Sequence, residues 1–203
     1  MRRRFNTTSS FLDMLFNINL CFFVLLCLAM FLIKPPASNK DGDITLKAEV
    51  MITIEWGAES KDDVDLWVRS PLKEIVFYAN PNIGAMSLDR DDRGQRNDVI
   101  KLEDGTVEII KENWEHVIVR KTVPGEYIVN LMMFSKVDVA PTKVKVKIEK
   151  LNPYQVIFQK EVLLSSQNQE ETVVRFKISK NGKTSVLSRD PELLSPQVGR
   201  YND

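Results

Sequence analysis

The sequence predicts a single N-terminal transmembrane α-helix followed by a mainly-β domain, an antiparallel Ig-like or jelly-roll-like β-sandwich. Three observations predict it. Residues 11–33 form one apolar run, "FLDMLFNINLCFFVLLCLAMFLI", with a single charge at Asp13. Residues 46–56 alternate apolar and polar with period two. Beyond them, short β-branched runs recur between turn residues, and no helical period is sustained over three turns.

Residues 1–10 carry Arg2, Arg3 and Arg4 and are expected in the cytoplasm, because loops flanking a span keep their positive charge inside. The run 11–33 is about 34 Å of helix at 1.5 Å per residue, enough to cross a bilayer once. It is longer than a signal-peptide core, and no small-x-small site precedes "KPPAS", so an uncleaved anchor is expected. Residues 34–44, with Pro35, Pro36 and Gly42, read as an extended linker.

The β-sandwich is expected over 45–180. Its clearest strand puts Leu46, Ala48, Val50, Ile52, Ile54 and Trp56 on one face. Further strands are expected at 63–70, 74–80, 106–110, 115–120, 126–134, 142–151, 155–164 and 170–178. In the first of these, Val64, Leu66 and Val68 should point inward, leaving Asp65 beside an exposed edge of Trp67. After the "VPGEY" turn, Tyr127, Val129, Leu131 and Met133 share a face. Residues 181–203 contain two prolines and no periodicity, and read as a flexible C-terminal tail.

Composition narrows function. The 28 basic and 28 acidic side chains cancel, so nucleic acid, which requires a basic surface, is not an expected partner. Cys21 and Cys27 both fall in the span, which leaves the exported part without a disulfide framework. His116 is the only histidine, against histidine-rich zinc sites and hydrolytic triads, and is itself read as structural. No G-x-S-x-G elbow, P-loop, Rossmann glycine pattern or HExxH occurs, so the chain reads as a non-enzyme.

Asp13 has two readings. In "SFLD" it stands three residues after Ser10, the spacing of a capping box, where an acid meets free backbone N–H groups and the positive end of the helix dipole. Alternatively it is a functional group inside the membrane, where a charge costs up to about 3 kcal/mol and usually faces protein. Asn17, four residues on, continues a polar stripe, whereas Asn19 lies off that face.

Basic residues, the approach "NTTSSFLD" to one acid, and an apolar run ending near proline resemble the ExbD/TolR family and, more loosely, MotB. That resemblance implies that Asp13 carries protons and Asn17 faces partner helices. The partners it implies are a multi-spanning ExbB/TolQ/MotA-like protein, a second copy in a homodimer within such a ring, and an unknown envelope component. It also implies a bacterial inner membrane, with the N-terminus cytoplasmic and the C-terminal domain periplasmic. The motifs "DVDLWVRSP", "LDRDDRG" and "VPGEYIV" make residues 50–135 similar to a YfaP-like family of uncharacterised role, which implies a β-sandwich. The function expected first is thus a proton-driven motor or energy-transducing subunit. The alternative is a passive membrane-tethered recognition or adaptor module in which Asp13 is only a cap.

No cofactor is required by these readings, but Asp89, Asp91, Asp92 and Gly94 raise calcium, since hard cations want several oxygens around a tight turn. The loop does not follow the EF-hand pattern: Arg93 stands at its fifth position and Ile100 where the bidentate glutamate belongs. Asp62, Asp63 and Asp65 could complete a site from another loop. The interleaved Arg90, Arg93 and Arg96 equally allow a plain salt-bridged loop.

Overall fold

A computed structural model describes residues 7–32 and 47–198, which fall into two compact units divided between Thr45 and Leu46. The linker expected at 34–44, Arg2 to Arg4 and the last five residues lie outside the described residues.

The first unit is α1, Thr7–Leu32, whose 26 residues make about 39 Å of helix. Within it Phe11–Ala29 is long and apolar enough to cross a membrane. Because α1 already runs from Thr7, Asp13 is at least its seventh residue and lies beyond the first turn. The capping-box reading therefore fails: the free N–H groups that a cap satisfies belong to the first turn only. Asp13, Asn17 and Cys21 stand on one face at four-residue spacing, flanked by Met14, Ile18, Phe22 and Leu25.

The second unit is a β-sandwich. Its strands are β1 Val50–Trp56, β2 Asp63–Arg69, β3 Ile75–Val76, β4 Asn82–Ile83, β5 Met86–Arg90, β6 Val99–Lys101 and β7 Val107–Ile109. There follow β8 Asn113–Val119, β9 Gly125–Ser135, β10 Thr142–Leu151, β11 Tyr154–Leu164, β12 Glu170–Ile178 and β13 Thr184–Ser188. One sheet has the order β11-β10-β1-β8-β5-β4, the other β13-β12-β9-β2-β3, and β6-β7 form a separate hairpin. All of these pairings are antiparallel.

Period two explains the layers. On β10, Val144, Val146 and Ile148 are fully buried while Lys143 and Lys145 face water. Ile52 of β1, fully buried, pairs with Ile148 on one side and Val117 of β8 on the other. Tyr127, Val129, Leu131 and Met133 of β9 meet them from the facing sheet, in one continuous core with Val64, Leu66 and Val68 of β2. Tyr127 stacks on Phe176 with centroids 5.3 Å apart, and its hydroxyl accepts a hydrogen bond from the Val123 N–H at 2.8 Å. The strand expected at 74–80 shrinks to Ile75–Val76, because the chain turns back on itself through paired Phe77 and Asn80. Part of "LDRDDRG" is the end of β5.

Two further expectations are corrected. Residues 184–198 are part of the fold and not a flexible tail: β13 pairs with β12, and α2, Ser195–Val198, follows a fully buried Leu194. Glu170 explains how an irregular segment stays put, since its carboxylate accepts from the Leu194 N–H at 2.6 Å and the Ser195 hydroxyl at 2.7 Å. Nor is Trp67 exposed beside Asp65. Leu194 joins Trp67, Ile75, Phe77 and Ile128 in a second apolar cluster, so both faces of β2 are covered. Trp67 and Phe77 stack there at 4.3 Å.

Candidate metal centre

At one end of the sandwich, β2 loses its neighbour. β3 pairs only with Val68 and Arg69, so along Asp63–Leu66 one edge of β2 is open. Edge N–H groups that are buried need acceptors. The carboxylate of Glu115, on β8, provides one: it accepts from the Leu66 N–H at 2.8 Å and from the Asp92 N–H at 3.1 Å. Glu115 thus ties together strands of the two sheets and the loop after β5. It is fully buried, in phase with Val117 and Val119.

Period two then places Asp63 and Asp65 on the opposite face of β2 from Val64 and Leu66. Each is only 3% exposed. Asp91, exposed, reaches the same place from the loop. Oxygens of Asp65, Asp91 and Glu115 all lie within 4.8 Å of one another. A cavity of about 260 Å³ adjoins Asp65 and Asp91, lined by these two with Asp63, Tyr78, Arg93 and Phe134. Tyr78 and Phe134 form its aromatic wall, edge to face at 5.4 Å.

The loop that delivers Asp91 is braced by Asp92. Its carboxylate accepts from the Gly94 N–H at 3.0 Å and from the Arg90 guanidinium at 2.8 Å. Gly94 is required there: its φ is +57°, and an added Cβ would lie 2.3 Å from the Asp62 carbonyl oxygen. Arg90 is in turn held 4.3 Å over the ring of Trp114, which stacks on His116. Asp62 braces the other side, accepting from the N–H groups of Val137 and Asp138, the Lys136 ammonium and the Thr142 hydroxyl.

Electrostatics separate the bracing acids from the clustered ones. Burial penalises the Asp62 anion, but hydrogen bonds from Lys136, Thr142 and two backbone N–H groups outweigh it and hold the carboxyl below its usual range. For Asp65, burial and then the charges of Asp63 and Asp91 push the carboxyl up to about 8. The Trp67 indole N–H pulls the other way but falls short of a hydrogen bond. Burial, then Asp91, raises Asp63 to about 6 against the pull of Arg96 and Arg93. Burial, then Asp65, drives Glu115 well above the ordinary glutamate range. Burial also raises Asp92, against Arg90 and the Gly94 N–H.

Of the residues singled out for metal in the sequence, Asp65 and Asp91 come together. Asp89 and Asp92 do not join them. Asp89 turns to another face of β5, taking bonds from Ser87 and Arg120 with His116 at 3.9 Å, and Asp92 is occupied in bracing its own turn. Glu115 is the member that sequence reasoning missed. Its signal was phase: in "NWEHVIV" it alternates with the core residues Val117 and Val119. His116 is half-buried between Trp114 and Asp89, as a packing residue would be. Chemically, the group offers acceptor oxygens only, a set that suits hard cations and not zinc or copper.

No family model matches the chain, and no curated protein matches it. The resemblances to ExbD/TolR and to YfaP-like domains therefore rest on the quoted motifs alone. Among solved structures, the chain is similar to one described as an unknown function protein, SAV2460. The two share 12% identity with a TM-score of 0.45, over 69% of this chain and 86% of that one.

Proposed function

We propose that this chain is a single-pass membrane protein whose α1 anchors a β-sandwich recognition or adaptor module at the membrane surface, with no enzymatic role. One observation carries the reading. The large apolar side chains described along Phe11–Ala29 are exposed on all sides, whereas the sandwich buries its own apolar residues in a closed core. An apolar surface of that extent is unfavourable in water and suits lipid or other membrane helices. The host membrane is read as a bacterial inner membrane with the N-terminus inside and the sandwich periplasmic, engaging an envelope component.

The test is fractionation of cells expressing the full chain. It should remain with membranes through alkaline carbonate, be released by detergent, and lose its sandwich to external protease only after the outer membrane is opened. Release by carbonate, or protection of the sandwich in spheroplasts, would overturn the reading.

A second reading is favoured by the Asp13–Asn17–Cys21 face. A polar stripe beyond the first turn of an otherwise apolar helix suits packing against an ExbB/TolQ/MotA-like ring, with Asp13 as proton carrier. Asp13→Asn keeps size and hydrogen bonding but abolishes titration. Loss of cellular function at normal membrane levels supports the motor, and full function eliminates it.

A further inference from the structure

We infer that the exported sandwich binds one calcium-class divalent cation between Asp65, Asp91 and Glu115, beside the cavity walled by Tyr78 and Phe134, with Asp63 lining that cavity next to the ion. The inference is independent of how the chain is anchored.

Geometry comes first. Calcium sits about 2.3 to 2.6 Å from each of its oxygens, so two ligand atoms of one ion are at most about 4.6 to 5.2 Å apart. The oxygens of Asp65, Asp91 and Glu115, mutually within 4.8 Å, meet that limit as a set. They come from β2, the loop after β5 and β8, three separate places in the chain. Such convergence is not the incidental acidity of a single loop.

The second observation concerns partners. Asp63 Oδ1 and Asp65 Oδ2 are buried and accept no hydrogen bond, although both side chains line the cavity. Among the described residues, no salt bridge reaches Asp63, Asp65, Asp91 or Glu115. Of the nearby cations, Arg90 is paired with Asp92 and Lys136 with Asp62, while Arg93, at the cavity wall, and Arg96 draw on Asp63 through space without forming an ion pair with it. A buried carboxylate with no counter-charge is strongly unfavourable. Three buried ones, Asp63, Asp65 and Glu115, beside the exposed Asp91 are retained most simply when something of charge two holds them ionised.

Ligand type then selects the ion. Three carboxylates with a fourth, Asp63, beside them, and no histidine or cysteine, suit calcium, magnesium or manganese over zinc. The spread of donors over three elements and the open cavity, which leaves room for water ligands, suit the larger and more irregular calcium shell better than the strict octahedron of magnesium. Glu115 is the fixed member, its two oxygens already aimed by the Leu66 and Asp92 N–H groups. Asp91, exposed, is the entry side.

The experiment uses the full chain in detergent, stripped with a chelator and titrated with calcium chloride by calorimetry and by thermal melting. Binding of one ion with a saturable rise in Tm is expected, because a ligand of the folded form must stabilise it, with magnesium at least about tenfold weaker. Asp65→Asn and Asp91→Asn should each weaken calcium at least about tenfold. Their metal-free Tm should equal or exceed the parent's, since each puts a neutral group where a carboxylate is crowded by other acids, which separates lost binding from lost folding. Asp89→Asn should bind like the parent. The inference is overturned by no binding at millimolar calcium, by unchanged affinity in both Asn variants, or by a loss in Asp89→Asn as large as theirs.

Discussion

Replacing Gly94 by alanine tests whether the loop carrying Asp91 is clamped against the start of β2. Two costs add. A residue with a Cβ in the left-handed region loses about 1 to 2 kcal/mol, and Gly94 has φ +57°. The new methyl would also stand 2.3 Å from the Asp62 carbonyl oxygen and 3.1 Å from that of Lys61, both backbone atoms that no rotamer change can remove. The Asp62 carbonyl is itself held, accepting the Trp56 indole N–H at 3.0 Å, while its carboxylate is fixed by Val137 and Asp138. Displacing such a segment resembles overpacking a core, at about 1 to 3 kcal/mol more. The sum is about 2 to 5 kcal/mol. Gly105 is the control: its φ is +85°, but nothing lies within 4 Å of its would-be Cβ, so Gly105→Ala should lose only the conformational cost of about 1 to 2 kcal/mol. Urea unfolding of the detergent-solubilised chain in chelator, followed by tryptophan fluorescence, measures both without involving a cation. Equal losses in the two variants would refute the clamp.

Leu194→Ala should destabilise by about 2 to 5 kcal/mol in the same assay, because Leu194 is fully buried against the Trp67 cluster; a loss within about 0.5 kcal/mol would mean that segment is not packed. Asp62→Ala should cost at least about 1 to 3 kcal/mol, because it leaves the Val137 and Asp138 N–H groups and the Thr142 hydroxyl without their acceptor. Asp62 also has an acid signature. Its folded pKa lies below the unfolded one, so its contribution is whole above about pH 4 and fades as pH falls through the lower folded value. Parent and Asp62→Asn stability curves should therefore run parallel above about pH 5 and converge in acid, and convergence as pH rises instead would contradict the assignment. Tyr127→Phe should lose about 0.5 to 1.5 kcal/mol by leaving the Val123 N–H without its acceptor, measured as a lower urea midpoint at unchanged slope.

What the sequence made legible follows the reach of its period. The alternation of lysine and valine in 142–151 marks β10 to the residue, and 46–56 reveals the central strand β1, because each position's face depends only on its neighbours' parity. The helix is legible for a similar reason, since length and apolarity are local. Leu194 was missed because a single buried side chain in irregular backbone leaves no period to read; Glu170 and the Trp67 cluster, which hold it, lie far away in sequence.

The candidate site falls between these cases. Asp65 and Asp91 were recognisable as acids near turns, but nothing local distinguishes Asp91 from Asp89. What separates them is a slip in the pairing of β5 with β8 between Leu88 and Arg90, an irregularity that strict alternation does not foresee. Glu115 shows the opposite failure. Its phase with Val117 and Val119 was visible, and a carboxylate in step with core residues is a conflict between pattern and polarity that a stable fold must resolve with partners. Half of the resolution is the pair of backbone N–H groups from β2 and the β5 loop. The other half is the charge that three neighbouring carboxylates still require, and that is why phase-breaking polar residues deserve to be read as site residues before the loops around them.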